Sequence, residues 1–329
     1  MTDNGRLVTV FGGAGFVGRH VVGALARDGW RIRVASRRPD LAFHLQPLGK
    51  VGQIHAVQAN LRFPASVAAA LRGARAAVNL PALLAESGHQ TFEAVHVFGA
   101  RAVARAAQEA GVAALVHMSA IGADPAAASR YASTKGRGEA AVREAYAGAT
   151  ILRPSIVFGP EDDFFNRFAA MARLFPALPL IGGGQTRFQP VYAGDVAEAV
   201  AKALAGDVAP ATTLELGGPE IKTFEELLAY ICAVTGRRRL LAPLPFPLAH
   251  VMALGAEIAG TLSLGLFPKM LAMTRDQVTL LRADNVVSQE AIAAGRTLEG
   301  IGIAPATIEA IVPPYLARFR KTGQFEQQV

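Results

Sequence analysis

Tyr131 and Lys135 stand four residues apart in Tyr-Ala-Ser-Thr-Lys, the spacing that puts two side chains on one face of a helix. An ammonium beside a phenol lowers the phenol's pKa, which a tyrosine working as an acid near neutral pH requires. Ser119, twelve residues earlier at the end of a short apolar run, could polarise a carbonyl. A second chemical feature lies near the N-terminus. In Leu7–Gly18, LVTVFGGAGFVG, the glycines Gly12, Gly15 and Gly18 stand three apart. A β-branched run precedes them, and Phe16, Val17, Val21, Val22 and Leu25 follow at helical spacing. Gly12 allows a tight turn, Gly15 lets backbone approach a pyrophosphate, and Gly18 lets helix pack on strand. The N–H groups that open the helix at Phe16, Val17 and Gly18 then face the anion at the positive end of the helix dipole.

The elements that must position these groups follow in order. Arg31–Ser36 alternates Arg with apolar residues and reads as a second strand. Its end carries Ser36, Arg37 and Arg38, with no acid until Asp40. A ribose 2′-hydroxyl calls for a carboxylate there and a 2′-phosphate for cations, so NADP(H) is expected over NAD(H). A third strand near Gln53–Gln58 is followed by Asn60, placed to meet an adenine ring, and by a helix opening at Pro64. Asn79 closes a fourth strand over Ala76–Leu80. A helix over Thr91–Glu109 ends at Gly111, and Leu115–Met118 is the fifth strand. This rhythm predicts an α/β fold, a doubly wound parallel Rossmann sheet with a smaller C-terminal α/β substrate-type domain. The expected division is 1–153 for the nucleotide-binding domain, its sheet completed by later strands, and 154–329 for the smaller one.

Bulk composition narrows the function classes. Of 329 residues, 51% are hydrophobic and 18% charged, enough apolar material for a large core and too little charge for long disorder. Cys232 is the single cysteine, which excludes a disulfide framework and a thiolate metal cluster. The formal net charge is +7 and the pI near 9.9. Without a helix-turn-helix, zinc-finger or aromatic RNA platform, that charge points to phosphates, anionic lipid or a protein partner, and no nucleic acid is expected. Glu161, Asp162 and Asp163 read as caps and first-turn acids of a helix, with no metal site. The start, MTDNGRLVTV, is too short and polar for a signal or transit peptide, so a cytoplasmic setting is expected.

GGAGFVG, Tyr131-x-x-x-Lys135, Arg153-Pro-Ser-Ile-Val-Phe-Gly-Pro160 and Tyr192-Ala-Gly-Asp195-Val-Ala-Glu-Ala199 together resemble the extended and atypical short-chain dehydrogenase/reductase superfamily. The resemblance implies that Lys135 holds the nicotinamide ribose and Tyr131 donates the proton. It also puts the backbone around Pro154, with Ser155 and Ile156, beside the nicotinamide. One departure is Ser119, which stands between Met118 and Ala120 in place of the usual serine pair. Leu45–Gln53, Phe164–Phe168 and Gln185–Val191 narrow the likeness, over residues 7 to roughly 285, to the family of nucleotide-binding accessory subunits of respiratory complex I, NADH:ubiquinone oxidoreductase. That resemblance implies a mainly structural NADPH and no independent catalysis. It implies partners among the complex I subunits near the quinone-binding region and peripheral contact with the membrane. The location implied is the cytoplasmic face of a bacterial inner membrane, or the matrix side in a eukaryote.

The C-terminal third is compatible with docking. Leu240–Leu266 is apolar apart from His250 and Glu257, and Arg237–Arg239 and Lys269 flank it. It reads either as an interfacial or partner-facing helix or as core of the smaller domain. Asp195 is expected to cap a helix running to Leu204, Arg187–Val191 to form one strand, and Pro313-Pro314 to break the closing helix. Two alternatives stay open. One is a free NADP-dependent reductase or epimerase acting on a carbonyl or sugar nucleotide through Tyr131, Lys135 and Ser119. The other is a non-catalytic sensor of NADP(H) redox state.

Overall fold

Short β-branched runs separated by alanine-rich helices build the chain in the computed structural model, which describes residues 6–262 and 273–321. β1 (Leu7–Phe11) leads into α1 (Phe16–Arg27), then β2 (Arg31–Ser36), β3 (Ile54–Gln58), α2 (Pro64–Leu71) and β4 (Ala76–Asn79). A π-helical stretch, Glu93–Gly99, runs into α3 (Ala100–Glu109), followed by β5 (Ala114–Met118), α4 (Arg130–Ala145) and β6 (Thr150–Pro154). Next come β7 (Val157–Phe158), α5 (Phe164–Leu174), β8 (Ala177–Ile181), β9 (Arg187–Phe188), β10 (Val191–Tyr192), α6 (Ala193–Ala205) and β11 (Thr213–Leu216). The remainder is β12 (Lys222–Thr223), α7 (Phe224–Val234), β13 (Leu240–Leu244), α8 (Phe246–Leu262), α9 (Arg275–Leu280), α10 (Gln289–Ala293) and α11 (Ile308–Leu316).

Seven strands form one parallel sheet in the order β11-β6-β5-β4-β1-β2-β3, so the chain winds outward in both directions from β1 and β4. Crossover helices cover both faces, and the inner strands are accordingly apolar throughout: β1 and β4 are buried almost end to end. The core on one face is alanine- and valine-rich, with Val67, Leu71, Val103, Leu115 and Val142 closing over Phe11. Small side chains let helices lie flat on the sheet.

The chain divides into two compact units, and the second-domain boundary expected from the sequence is interrupted twice. The first unit takes residues 1–154, 193–216 and 287–305; the second takes 155–192, 217–286 and 306–329. The reason is pairing. β11 joins the main sheet beside β6, with Thr213 opposite Ile151, and α6 packs along α1. The second unit has its own aromatic core of Phe158, Phe165, Phe188 and Phe224, with Phe164 and Phe168 edge-on to neighbouring rings. Tyr315 of α11 donates to Asp162 at 2.6 Å, and Ile308, Val312 and Leu316 pack into the same cluster.

Several local expectations change. Arg187–Val191 is two short strands, because Pro190 lacks the N–H that a continuous ladder needs. β9 pairs antiparallel with β12 and β10 parallel with β7. Asp195 lies inside the first turn of α6, where its charge still suits the helix dipole. The acids at 161–163 precede α5 and are not in its first turn. Asp162 is buried and accepts from Gly159 N, Asn166 N and Tyr315 Oη. Pro313 and Pro314 lie within α11, which runs on through them to Leu316 before its last residues tighten into a 3-10 turn. α8 carries both readings of the apolar stretch: Ala249 and Ala253 are fully buried, whereas Val251 is 66% and Ile258 52% exposed. Residues 263–266 of that stretch and Lys269 lie outside the described residues. No helix among the described residues is long and apolar enough to cross a membrane.

Arg153 on β6 ties helix to sheet inside the first unit. Its Nε and Nη2 reach the two Glu139 oxygens of α4 at 2.8 and 2.7 Å, and Nη1 lies 3.7 Å from Glu215 of β11. Glu215 also accepts the Ser288 N–H at 2.8 Å, anchoring the returning segment 287–305. Glu139 is 4% exposed, so removing it strands a half-buried guanidinium. Glu139→Ala is expected to lose about 3 kcal/mol in denaturant unfolding, and Glu139→Leu/Arg153→Met to recover part of that loss.

Candidate nucleotide-binding site

The glycine turn after β1 has the shape its sequence requires. Gly12 adopts φ +76°, and its carbonyl accepts the Gly15 N–H at 3.0 Å. A Cβ on Gly18 would sit 2.3 Å from the Gly12 oxygen, so no side chain fits where α1 crosses the turn. Gly15 caps α1 without a side chain, leaving the first-turn N–H groups of Phe16, Val17 and Gly18 uncapped by any side-chain oxygen. Backbone donors therefore stand where a diphosphate can reach them.

At the end of β2, Ser36 Oγ accepts the Arg38 N–H at 3.2 Å and stiffens the turn. Arg38 is exposed and pairs with Asp40 at 2.9 Å, while Arg37 is exposed and holds no ion pair among the described residues. Asn60 Oδ1 accepts the Arg62 N–H at 3.1 Å, so it also shapes the turn into α2.

Beneath the ends of β4 and β5 the structure assembles a polar cluster. The register sets Asn79 opposite His117, and the Asn79 amide donates to His117 Nδ1 at 3.0 Å. Lys135 is 2% exposed and donates to the Met118 carbonyl at 3.0 Å. Ser119 Oγ, Asn79 Oδ1 and His117 Nε2 are buried without a hydrogen-bond partner. Buried polar atoms in that condition favour a bound polar group. A nicotinamide ribose and carboxamide fit this donor and acceptor set, and the glycine turn fits the diphosphate.

Sequence reasoning missed His96, which sits on the π-helical stretch before α3. Its Nε2 accepts the Leu83 N–H at 3.0 Å, so Nδ1 carries the proton and donates to Thr134 Oγ1 at 3.0 Å. The ring stacks on Phe92 and meets the Tyr131 ring edge-on at 5.4 Å. Its backbone presses on α4 so closely that a Cβ on Gly138 would lie 2.1 Å from the His96 oxygen. The signal available beforehand was weak: a lone histidine in an apolar helix, with Gly136 and Gly138 on the partner helix.

Electrostatics revise one expectation. The Tyr131 phenol is not drawn down by Lys135; burial pushes it up to about 12. The ammonium is turned to the Met118 carbonyl, and burial lowers Lys135 itself to about 8, partly offset by Glu139. His96 and His117 are both held at about 3, mainly by burial and secondly by the Lys135 charge.

Pro154 ends β6 in the first unit, and its carbonyl accepts the Ile121 N–H at 3.0 Å. Ser155 and Ile156 belong to the second unit. There Ser155 Oγ lies 2.7 Å from Asn285 Oδ1 and accepts the Gln189 N–H at 3.2 Å, while the Ile156 carbonyl accepts the Val191 N–H at 3.0 Å. Among the described residues no group of three His, Cys, Asp or Glu is arranged to hold a metal ion.

Because both histidines stay neutral in the fold to about pH 3 but titrate near 6.5 when unfolded, the unfolded chain binds more protons between those limits. The histidine contribution to stability is therefore expected to be level above pH 6.5 and to fall as the pH drops below it. Denaturant midpoints measured from pH 7.5 to 4.5 check this, and His117→Gln should flatten the fall. A wild-type profile already flat to pH 4.5 would contradict neutral burial.

Comparison with known proteins agrees with this geometry. The pattern of the NAD dependent epimerase/dehydratase family matches residues 8–217. The chain is 32% identical to NADH dehydrogenase (ubiquinone) 1 alpha subcomplex subunit 9, mitochondrial, of Arabidopsis thaliana, over 97% of this chain and 79% of that protein. It is 30% identical to ceramide reductase of Caulobacter vibrioides, over 89% of this chain and 90% of the relative. A triphenylmethane reductase from Citrobacter sp. shares the fold at TM-score 0.72 and 18% identity, over 94% of this chain and 99% of that one. With its glycine turn, seven-stranded parallel sheet and polar cluster under β4 and β5, the chain belongs to the NAD dependent epimerase/dehydratase family, among relatives that include subunits of respiratory complex I.

Proposed function

We propose that this protein is an NADPH-binding accessory subunit of respiratory complex I, in which the nucleotide serves mainly to hold the first unit together. The observation that carries the reading is the near full-length similarity to complex I subunits on a fold whose dinucleotide turn is intact. In this reading the first-turn N–H groups of α1 bind the diphosphate. Arg37, with Arg38 released from Asp40, takes the 2′-phosphate, and Ser36 fixes the turn between them. Asn60 borders the adenine, and Asn79, Ser119 and Lys135 hold the nicotinamide ribose end, with Tyr131 and Pro154 of the same unit beside them. A bound nicotinamide could supply hydride, but Tyr131, pushed up to about 12, is a poor acid at neutral pH without further help. That supports a structural role for the nucleotide.

Partners in this reading are complex I subunits near the quinone-binding region, with peripheral contact at the membrane surface on the cytoplasmic side of a bacterial inner membrane. The exposed apolar stripe of α8, Leu248, Val251, Met252 and Ile258, supports such a contact. A second reading is favoured by the ceramide reductase relative: a free NADP-dependent reductase acting on a lipophilic carbonyl, with Tyr131, Lys135 and Ser119 as its machinery.

Native electrophoresis of mildly solubilised membranes separates the two. Salt-resistant co-migration with NADH:quinone oxidoreductase activity is expected. A small free species whose carbonyl-dependent NADPH oxidation is abolished by Tyr131→Phe would replace the subunit reading with the reductase. Arg37→Asp/Arg38→Asp is expected to strip most NADPH from the purified protein, and an unchanged NADPH content in that variant would remove the 2′-phosphate assignment.

A further inference from the structure

Four large apolar side chains of the first unit lie exposed on one short segment after β2. Leu41 is 58%, Phe43 60% and Leu48 44% exposed on the 3-10 segment Pro39–Leu48, and Val51 is fully exposed in the turn that follows. The segment also has an inner side. Ala42 and Leu45 are buried, and the segment packs along α1 and β3.

The turn that carries Val51 is pinned. Gln53 Oε1 accepts the Lys50 N–H at 2.7 Å, and Gln53 Nε2 donates to the Ala26 and Trp30 carbonyls at 2.7 and 2.9 Å. The Gly49 N–H donates to the Gln46 carbonyl at 3.2 Å, and Gly52 turns the chain at φ +75°. A backbone fixed to α1 thus presents a valine that none of the chain's own packing covers. Fixing an exposed apolar group contributes nothing to the core, but it lowers the ordering cost of docking.

The charge around the ridge is one-sided. Between Asp28 and Glu86 the chain holds eight Lys and Arg residues and a single acid, Asp40, which Arg38 pairs at 2.9 Å. That excess equals the formal net charge of +7 of the whole chain, so the remaining sequence is balanced. Lys50 and His44 lie exposed on the ridge itself. An apolar centre with a charged rim is the anatomy of a protein interface, and this rim calls for an acidic one opposite.

We infer that the ridge of Leu41, Phe43, Leu48 and Val51 is the face on which this protein docks a neighbouring complex I subunit, given the subunit reading above. The surface it fits has an apolar hollow with an acidic rim. An anionic bilayer would meet the same charge, but a fluid surface has no fixed hollow for a pinned knob to match.

The test uses the full chain in its own membranes, with benzoylphenylalanine placed at position 51 for photo-cross-linking. A cross-link to a subunit of the NADH:quinone oxidoreductase is expected. Phe43→Ser/Val51→Asp should lower the fraction co-migrating with that activity about tenfold or more, with NADPH content and unfolding midpoint unchanged. Lys50→Glu, which leaves the apolar ridge intact, should weaken co-migration in the same direction. A cross-link to a second copy of the chain or to lipid alone overturns the inference. So does co-migration by the variants equal to that of the wild type. Wild-type protein that does not co-migrate at all overturns the subunit reading, and this docking face with it.

Discussion

A close constraint in the first unit is the contact between α1 and the glycine turn. Gly18 lies where a single added carbon would collide with the Gly12 carbonyl, so the helix rests on the strand with nothing between them. That approach sets the height of α1 above the sheet and leaves its uncapped N-terminus beside the turn. It also gives α6 a flat neighbour to pack along, and α6 brings β11 back to extend the sheet beside β6. One missing side chain thus links the anion-binding turn to the route the chain takes between its two units.

The second constraint is electrostatic. Burying an ammonium costs free energy, and here Lys135 stays largely protonated at neutral pH with Glu139 nearby and the Met118 carbonyl as acceptor. The two histidines beside it are kept neutral by burial and by that same charge. Neutral imidazoles can then act as hydrogen-bond linkers: His96 joins the segment after β4 to α4, and His117 joins β5 to Asn79. The unpartnered oxygens of Asn79 and Ser119 lie in the same cluster. Such a cluster is suited to receive a polar ligand and to be stiffened by it.

Family membership and chemistry place different limits on function. A Tyr/Lys pair at helical spacing belongs to a reductase, yet the environment pushes the phenol away from the acid range. Relatives of comparable identity include a complex I subunit and a ceramide reductase, so the fold hosts both uses.

The order of strands, the glycine turn and the helical spacing of Tyr131 and Lys135 were legible in the sequence because each depends on local periodicity or on a missing side chain. Asn79 and Ser119 were legible as strand ends for the same reason. That later strands complete the first sheet was expected from the sequence, but which strand returns was not legible, since only pairing between β11 and β6 decides which sheet a short strand joins. His96 was hidden because its importance comes from a π-helical stretch, from the glycines of α4 and from Leu83, all brought together by packing. The sign of the Tyr131 shift was also tertiary: spacing put an ammonium on the right helix face, but burial and the Met118 carbonyl decided where that ammonium points. Sequence fixes which groups are present and how far apart they lie along the chain, whereas the desolvation and contacts that set their charge exist only once the chain has folded.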